Sequence, residues 1–191
     1  MARCNKASRC VKALAACLLI TLFPQKDTFA ADTTTVEFSA QISDGSCELT
    51  LSETALSYGI YRMTDAQAAS TAGLLPLTAT IQCSGATIPT LSVSGTAYTS
   101  ASVPQAVIFR DADSVASGVG FMVRRDTGGI TLGNFYDTGA ALVNGTPVTL
   151  PAVAEQAVYN APLLLGLVHA GSEPVTPGTV KASLTFKVTY E

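Results

Sequence analysis

Hydrophobic and polar residues alternate along most of this chain with a period of two. Near the N-terminus, Val36, Phe38, Ala40 and Ile42 are apolar and the residues between them are polar. Successive side chains of a β-strand point to opposite faces, so this alternation puts the apolar side chains on one face. The same pattern occupies the C-terminus, where the apolar positions are Val180, Ala182, Leu184, Phe186, Val188 and Tyr190. Both segments are therefore predicted to be half-buried strands.

Shorter apolar runs between these ends are separated by glycines and prolines, which are typical of turns. The predicted strands are 47–51, 74–83, 90–94, 106–110, 120–125, 130–135, 146–150, 158–168 and 179–190. Only residues 63–72 have a helical character. Such closely spaced strands predict an all-β fold, an immunoglobulin-like β-sandwich. No repeat or low-complexity tract divides residues 45–191, so we expect one domain that follows an N-terminal arm, residues 31–44.

The first thirty residues have the organisation of a signal peptide. Residues 13–23 are apolar, too few to span a bilayer, and Thr28 and Ala30 are the small residues expected before cleavage at Ala31. The basic residues that precede the apolar run are Arg3, Lys6, Arg9 and Lys12. The alternative is a lipoprotein signal that would lipidate Cys17, but the most apolar stretch follows that cysteine. The sequence therefore predicts export, with residues 1–30 removed.

Charge and composition narrow the class of function. Only 13% of the residues are charged, and there is one His and no Trp. Without residues 1–30 the chain loses five of its 11 cations and one of its 14 anions, so its net charge changes from −3 to about −7. An acidic surface lacks the basic patch that binds nucleic acid, and it is not attracted to a membrane surface. We expect no nucleic acid partner, no direct membrane insertion and no cofactor.

Two cysteines, Cys47 and Cys83, remain after the predicted cleavage. An even pair in an oxidising compartment predicts a disulfide. Closing the loop between them should stabilise the fold by about 4 kcal/mol in the chain-entropy account.

Four other features could carry chemistry, and each has a simpler structural interpretation. His169 ends an apolar run and has no second His or catalytic Ser near it in sequence. Asp111 and Asp113 supply too few carboxylates for Ca²⁺ and are interpreted as solvated turn residues. Arg124 stands in a strand, and Asn144 opens an Asn-Gly turn that is also a formal glycosylation sequon. We therefore predict no catalytic residue and no metal site, and a protein that is not an enzyme.

Several segments together resemble a known family. They are TVEFSAQISDGSCEL at 35–49, LSYGIY at 56–61, LTATIQCSG at 77–85, Gly178 as the fourteenth residue from the end, and the penultimate Tyr190. In these segments the chain resembles the pilin subunits of chaperone–usher fimbriae, close to the type 1 fimbrial protein family. Ala40 stands where that family often has Gly, and it is likewise a small residue.

The resemblance implies an incomplete immunoglobulin-like β-sandwich with an N-terminal donor-strand arm. A family subunit lacks its last strand, so an apolar groove stays open until another chain adds a strand, the donor-strand complementation known for chaperones and pilins. The arm residues that would fill a neighbour's groove are Val36, Phe38, Ala40 and Ile42. The residues that would line the groove and contact the chaperone are Gly178, Leu184, Phe186, Val188 and Tyr190.

The function implied by the resemblance is that of a structural subunit of a fimbria, exported through the periplasm to the cell surface, where it supports adhesion. Its partners would be a periplasmic pilus chaperone, an outer-membrane usher and neighbouring pilin subunits. Two alternatives stay open. The chain could be a carbohydrate-binding β-sandwich such as a fimbrial tip lectin, or a minor adaptor subunit. The arm could also pair within its own sandwich as an ordinary first strand, since periodicity does not distinguish the two.

Overall fold

The computed structural model describes residues 46–62 and 68–190. The predicted signal peptide, the arm and the middle of the segment with helical character lie outside these residues. Within them the chain forms eight strands, β1 to β8. Their bounds are Cys47–Leu51, Thr71–Cys83, Thr90–Ser94, Ile108–Phe109, Val119–Arg125, Val148–Thr149, Val158–His169 and Thr185–Thr189.

The strands form two sheets in which all pairs are antiparallel. The larger sheet has the order β1-β2-β7-β5-β4, and the smaller has the order β6-β3-β8. The inward-facing side chains of both sheets form one apolar cluster, the inner core. Its fully buried members include Ala79, Ile81, Leu91, Val93 and Phe109. The predicted all-β sandwich is confirmed.

Strand β7 is buried on both of its faces. This is unusual, because an antiparallel sheet in a sandwich commonly has one face toward the core and the other toward solvent. Residues 163–170 are all buried. Leu163 and Leu165 belong to the inner core, whereas Leu164 and Val168 belong to a second cluster with Phe135 and Met122. The loops that follow β3 and β5 thus cover the outer face of the larger sheet.

Phe135 explains why one predicted strand is wrong. Residues 130–135 form no strand; residues 132–134 form a turn, and the Phe135 ring lies against Gly166 where any other residue would place its Cβ. The ring is completely buried in the second cluster. Burying this aromatic side chain stabilises the loop conformation, because the outer face of β7 is apolar there.

Other predicted boundaries shift where tertiary pairing decides them. β2 begins at Thr71 because Thr71 pairs with Val168, so the last two residues of the segment with helical character are strand. The predicted strands at 106–110 and 146–150 shorten to the two residues of β4 and of β6. The predicted strand 179–190 forms a β-ladder only over Thr185–Thr189. Residues 179–184 lie outside the ladder, and their backbone is bonded to residues 111–116.

Candidate functional site

The C-terminal segment, residues 179–190, forms one side of an incompletely covered part of the inner core. Inward-facing residues of β2 and β7 such as Ile81 and Leu163 are 0% and 1% exposed. The inward-facing residues of the C-terminal segment pack against the same core and yet stay half-buried: Ala182, Leu184, Phe186 and Val188. Their remaining exposure means that apolar surface beside this segment is not covered by the described residues.

A cavity of about 430 Å³ lies beside this segment. The larger sheet contributes Leu77, Phe121 and Leu165 to its lining. Residues 51–58 and 180–186 line it from the two sides. The cavity therefore lies between the chain that follows β1 and the C-terminal segment, with the inner core at its base.

A second cavity, of about 460 Å³, lies next to the first and extends along the chain to residue 175. Its lining includes Val119 and Leu167 of the larger sheet, together with residues 59–62 and 175–180. Val180 lines both cavities, so they adjoin there. We call the two together the C-terminal groove. It is an elongated apolar depression that follows the C-terminal segment.

Backbone groups on the groove side of this segment have no hydrogen-bond partner within 46–62 and 68–190. The carbonyls of Thr179 and Lys181 accept hydrogen bonds from the backbone of 111–116 at 2.8–3.0 Å. Because backbone groups of successive residues in an extended chain point to opposite edges, those of Val180, Ala182 and Leu184 point toward the groove. Among the residues that the structure describes they make no hydrogen bond. The groove thus has an apolar interior and an open backbone edge.

Two side chains add to the backbone hydrogen bond between Asp111 and Lys181 in holding residues 181–183 at this position. Ser114 Oγ accepts a hydrogen bond from the Lys181 backbone N–H at 3.0 Å and donates one to the Lys181 carbonyl at 3.2 Å. Asp111 accepts from the backbone N–H of Ser183 at 3.0 Å and from its hydroxyl at 2.8 Å. We call Asp111 and Ser114 the polar clamp. Asp111 is partly exposed and directly precedes a turn, but its carboxylate is not only solvated, because it also accepts hydrogen bonds from Ser183.

Asp113 fits the sequence interpretation better, because it is an exposed turn residue. Its carboxylate lies 3.0 Å from the ammonium group of Lys181. The hydrogen bond and the charge of Lys181 lower the pKa of the Asp113 carboxyl. Lys181 is thus already engaged by a carboxylate of its own chain.

The predicted groove residues do not all lie in the C-terminal groove. Leu184 and Phe186 line the first cavity, and Gly178 lines the second. Val188 packs against the inner core. Tyr190 lines a separate cavity of about 660 Å³, together with threonines of β3 and β6. Val188 and Tyr190 thus line neither cavity of the C-terminal groove, and the contact of all five residues with an added strand or a chaperone stays a prediction.

Gly178 is required by close packing. Its φ of +154° is uncommon for residues with a side chain, and a Cβ there would lie 2.6 Å from the backbone nitrogen of Ala116. The C-terminal segment can approach residues 115–116 only because position 178 has no side chain.

Tyr58 is a groove residue that sequence reasoning did not single out. Its hydroxyl donates a 2.7 Å hydrogen bond to the backbone carbonyl of Leu165, and its ring centroid lies 5.2 Å from that of Phe121. Burial, followed by the nearby Tyr61, raises the pKa of the Tyr58 phenol. The segment LSYGIY was noted only for family resemblance; the alternation of Leu56 and Tyr58 was the available signal.

The disulfide between Cys47 and Cys83 is present. The two cysteines are opposite one another in the ladder of β1 and β2. The bond therefore joins β1, the outer strand of the larger sheet, to its neighbour, and the prediction is confirmed.

The remaining candidate residues have structural contacts. His169 is buried at the end of β7 with Nε2 within hydrogen-bond distance of the Glu173 carbonyl. Arg124 donates to the carbonyls of Asn134 and Phe135, and the side-chain amide of Asn144 pairs with both backbone groups of Gly95. Over 46–62 and 68–190, no three His, Cys, Asp or Glu residues cluster as metal ligands would. In the same ranges, no helix is long and apolar enough to span a bilayer.

Two solved structures share the fold. One is an antigen and type I fimbria protein of Burkholderia pseudomallei, with 17% identity, a TM-score of 0.51, and coverage of 76% of this chain and 99% of that one. The other is a subunit in the structure of a chaperone–usher pilus, with 14% identity, a TM-score of 0.50, and coverage of 86% and 99%. Comparison with curated protein sequences gives no match.

Sequence comparison with protein families matches residues 36–191 to the fimbrial protein family. The match includes the described strands, the disulfide and the C-terminal groove. The chain therefore belongs to the fimbrial protein family, whose members are structural proteins and not enzymes.

Proposed function

We propose that this chain is a structural subunit of a chaperone–usher fimbria and that it polymerises by donor-strand exchange. The observation that carries the proposal is the C-terminal groove, in which an apolar interior and an unpartnered backbone edge lie side by side. A single β-strand supplies both of the missing parts, since it has apolar side chains on one face and backbone groups along its edges.

The arm of a neighbouring subunit has the composition of such a strand. Val36, Phe38, Ala40 and Ile42 would enter the groove. At about 1.5–3 kcal/mol for each large apolar side chain, their burial would contribute about 6–8 kcal/mol. New backbone hydrogen bonds would also remove an exposed sheet edge, which is otherwise prone to aggregation.

Donating with one end and accepting with another produces a fibre. The arm and the C-terminal groove are different surfaces, so the contact between two subunits is heterologous and does not close a ring. Before assembly, a periplasmic chaperone would supply the missing strand, and an outer-membrane usher would be the place where the arm replaces it. The finished polymer would be a surface fimbria that supports cell adhesion.

Deleting residues 31–44 tests whether the arm acts between molecules. We expect the truncated subunit still to accumulate in the periplasm with its chaperone, because the described sandwich begins after the arm. It should accept a strand and donate none, and therefore terminate fibres. The measurement is periplasmic abundance, chaperone co-purification and fibre length. Loss of the folded subunit would instead show that the arm is the first strand of its own sandwich.

Phe38→Asp is a milder test, with Ser39→Asp as its matched control. Both introduce one carboxylate into the arm, but only the first would bury it in the neighbouring groove, at a cost of several kcal/mol. We expect Phe38→Asp to reduce polymers strongly and to leave the chaperone complex at wild-type levels, while Ser39→Asp has little effect on either. Equal loss of chaperone complex and polymer would contradict the proposal.

A further inference from the structure

Two lysines lie on the outward face of the C-terminal segment, and their environments differ. Lys181 forms the 3.0 Å ion pair with Asp113. Lys187 is exposed in β8 and, within the part of the chain that the structure describes, has no ion pair or side-chain hydrogen bond. Lys187 is therefore the cation on this segment that is available to a strand added beside it.

The outward face of the arm carries a single charge. Thr35, Ser39 and Gln41 are neutral, and Glu37 is the acidic residue among them. If the inward-facing arm residues enter the groove, Glu37 lies on the solvent side of the added strand, the side on which Lys187 also lies.

We propose that Glu37 of one subunit pairs with Lys187 of the next and that this pair sets the register of the donor strand. The proposal rests on the donor-strand function proposed above. With the arm antiparallel to β8, the pair places all four inward-facing arm residues opposite inward-facing residues of the segment. The resulting partners are Val36 with Val188, Phe38 with Phe186, Ala40 with Leu184, and Ile42 with Ala182.

These partners also suit one another in size and polarity. Phe38 and Phe186 form an aromatic cross-strand pair, a favourable combination. The small Ala40 meets Leu184, and the larger Ile42 meets the small Ala182, so volumes alternate along the groove. On the outward face every arm residue meets a polar residue: Thr35 with Thr189, Glu37 with Lys187, Ser39 with Thr185 and Gln41 with Ser183.

Other arrangements lose the charge pair. A shift by two residues places Glu37 opposite Thr185 or Thr189, and a shift by one turns the apolar face to solvent. A parallel strand could bring Glu37 to Lys181, but that ammonium group is already held by Asp113. Of these arrangements, the antiparallel register with Lys187 therefore satisfies the most groups.

Charge exchange in the full-length chain, expressed with its own assembly machinery, tests the pair. Glu37→Lys alone and Lys187→Glu alone should each slow polymerisation about three- to tenfold, because like charges then oppose each other across the strands. The double variant should recover the wild-type rate. Combining Glu37→Lys with Lys181→Glu is the matched control and should give no recovery. Recovery with Lys181→Glu, or no effect of Glu37→Lys, would overturn the register.

Cysteine cross-linking reads the register directly. Glu37→Cys is combined in turn with Lys187→Cys, Thr185→Cys and Thr189→Cys, and polymers are run on non-reducing gels. Directly opposite Cβ atoms lie about 4.5–5.5 Å apart, close enough for a disulfide after small adjustments. We expect strong intermolecular linkage at position 187 only. Linkage at 185 or 189, or at none of the three positions, would overturn this register, whereas donor-strand exchange itself is tested separately by deleting residues 31–44.

Discussion

At the scale of single residues, Tyr58 connects three parts of the groove. Its hydroxyl caps a carbonyl of β7, its ring packs near Phe121 of β5, and its own segment lines the first cavity. A tyrosine suits this place because its ring is apolar while its hydroxyl can donate a hydrogen bond to the backbone of β7.

Tyr58→Phe should lower the free energy of unfolding by about 1–2 kcal/mol at pH 7, because the hydrogen bond between the Tyr58 hydroxyl and the Leu165 carbonyl is lost. The substitution should also change the pH dependence. In the wild type the folded state keeps its phenol protonated above the ordinary pKa of 10.0. The unfolded chain releases that proton first, so this residue's contribution to stability is complete below pH 10 and falls as pH rises further.

Urea unfolding at pH 8 and at about pH 11 measures both effects. Tyr58→Phe should lose less stability between these two pH values than the wild type does. Tyr136→Phe, which removes another partly buried tyrosine hydroxyl that accepts a hydrogen bond from the Gly171 backbone, is the comparison variant. An unchanged alkaline loss in Tyr58→Phe would show that Tyr58 does not carry it.

At the scale of elements, the C-terminal segment has two halves that are held by different means. Thr185–Thr189 forms a backbone ladder with β3. Residues 181–183 are held by one backbone hydrogen bond from Asp111 and by the side chains of Asp111 and Ser114. A ladder resists displacement over its whole length, whereas the polar clamp holds the segment at separate points. Removing one side chain of the clamp should therefore affect the groove edge only locally.

Ser114→Ala should therefore raise hydrogen exchange at the Lys181 amide about tenfold or more, with a smaller effect on global stability. The reason is that this amide loses its hydrogen-bond acceptor, at a local cost of about 1–2 kcal/mol. Asp113→Ala is the matched control, because it removes an exposed carboxylate that bonds the Lys181 side chain and not its backbone. Equal exchange in both variants would contradict a clamp.

At the scale of the whole molecule, the two sheets that the structure describes pack together and leave the C-terminal groove uncovered. The C-terminal groove lies where the smaller sheet ends at β8 and the larger ends at β1. The disulfide holds β1 to β2 at the Cys47 end of β1, whereas Leu51 at the other end lines the first cavity. Membership of the fimbrial protein family confirms the predicted family and the prediction that the chain is not an enzyme. The signal peptide and the domain boundaries at residues 30 and 44 stay predictions.

Replacing both cysteines by serine should lower the free energy of unfolding by about 4 kcal/mol, because the unfolded chain regains the freedom of the loop between them. We expect faster hydrogen exchange throughout β1, since an outer strand then depends on β2 alone. Glu48→Ala, on the exposed face of the same strand, is the control and should change stability by less than about 0.5 kcal/mol. A double variant as stable as the wild type would show that the ladder alone holds β1.

The sequence by itself determined the features that depend on local pattern and covalent chemistry. β1 and β3 have the predicted bounds, and the apolar face of 180–188 points inward, because a period of two leaves only one face to bury. The predicted removal of residues 1–30 leaves two cysteines, which can pair only with each other within the chain. The family resemblance was also visible from the two ends.

Only the tertiary structure decided how distant segments satisfy one another. The long apolar run of β7 signalled burial, but not that Phe135 would cover its outer face from a loop. Hydrogen bonds of the Ser114 and Asp111 side chains to the C-terminal segment, and of Tyr58 to Leu165, join residues that are 67 to 107 positions apart. Contacts of that range depend on which chain happens to pass nearby in space, and a pattern with a period of two contains no information about it.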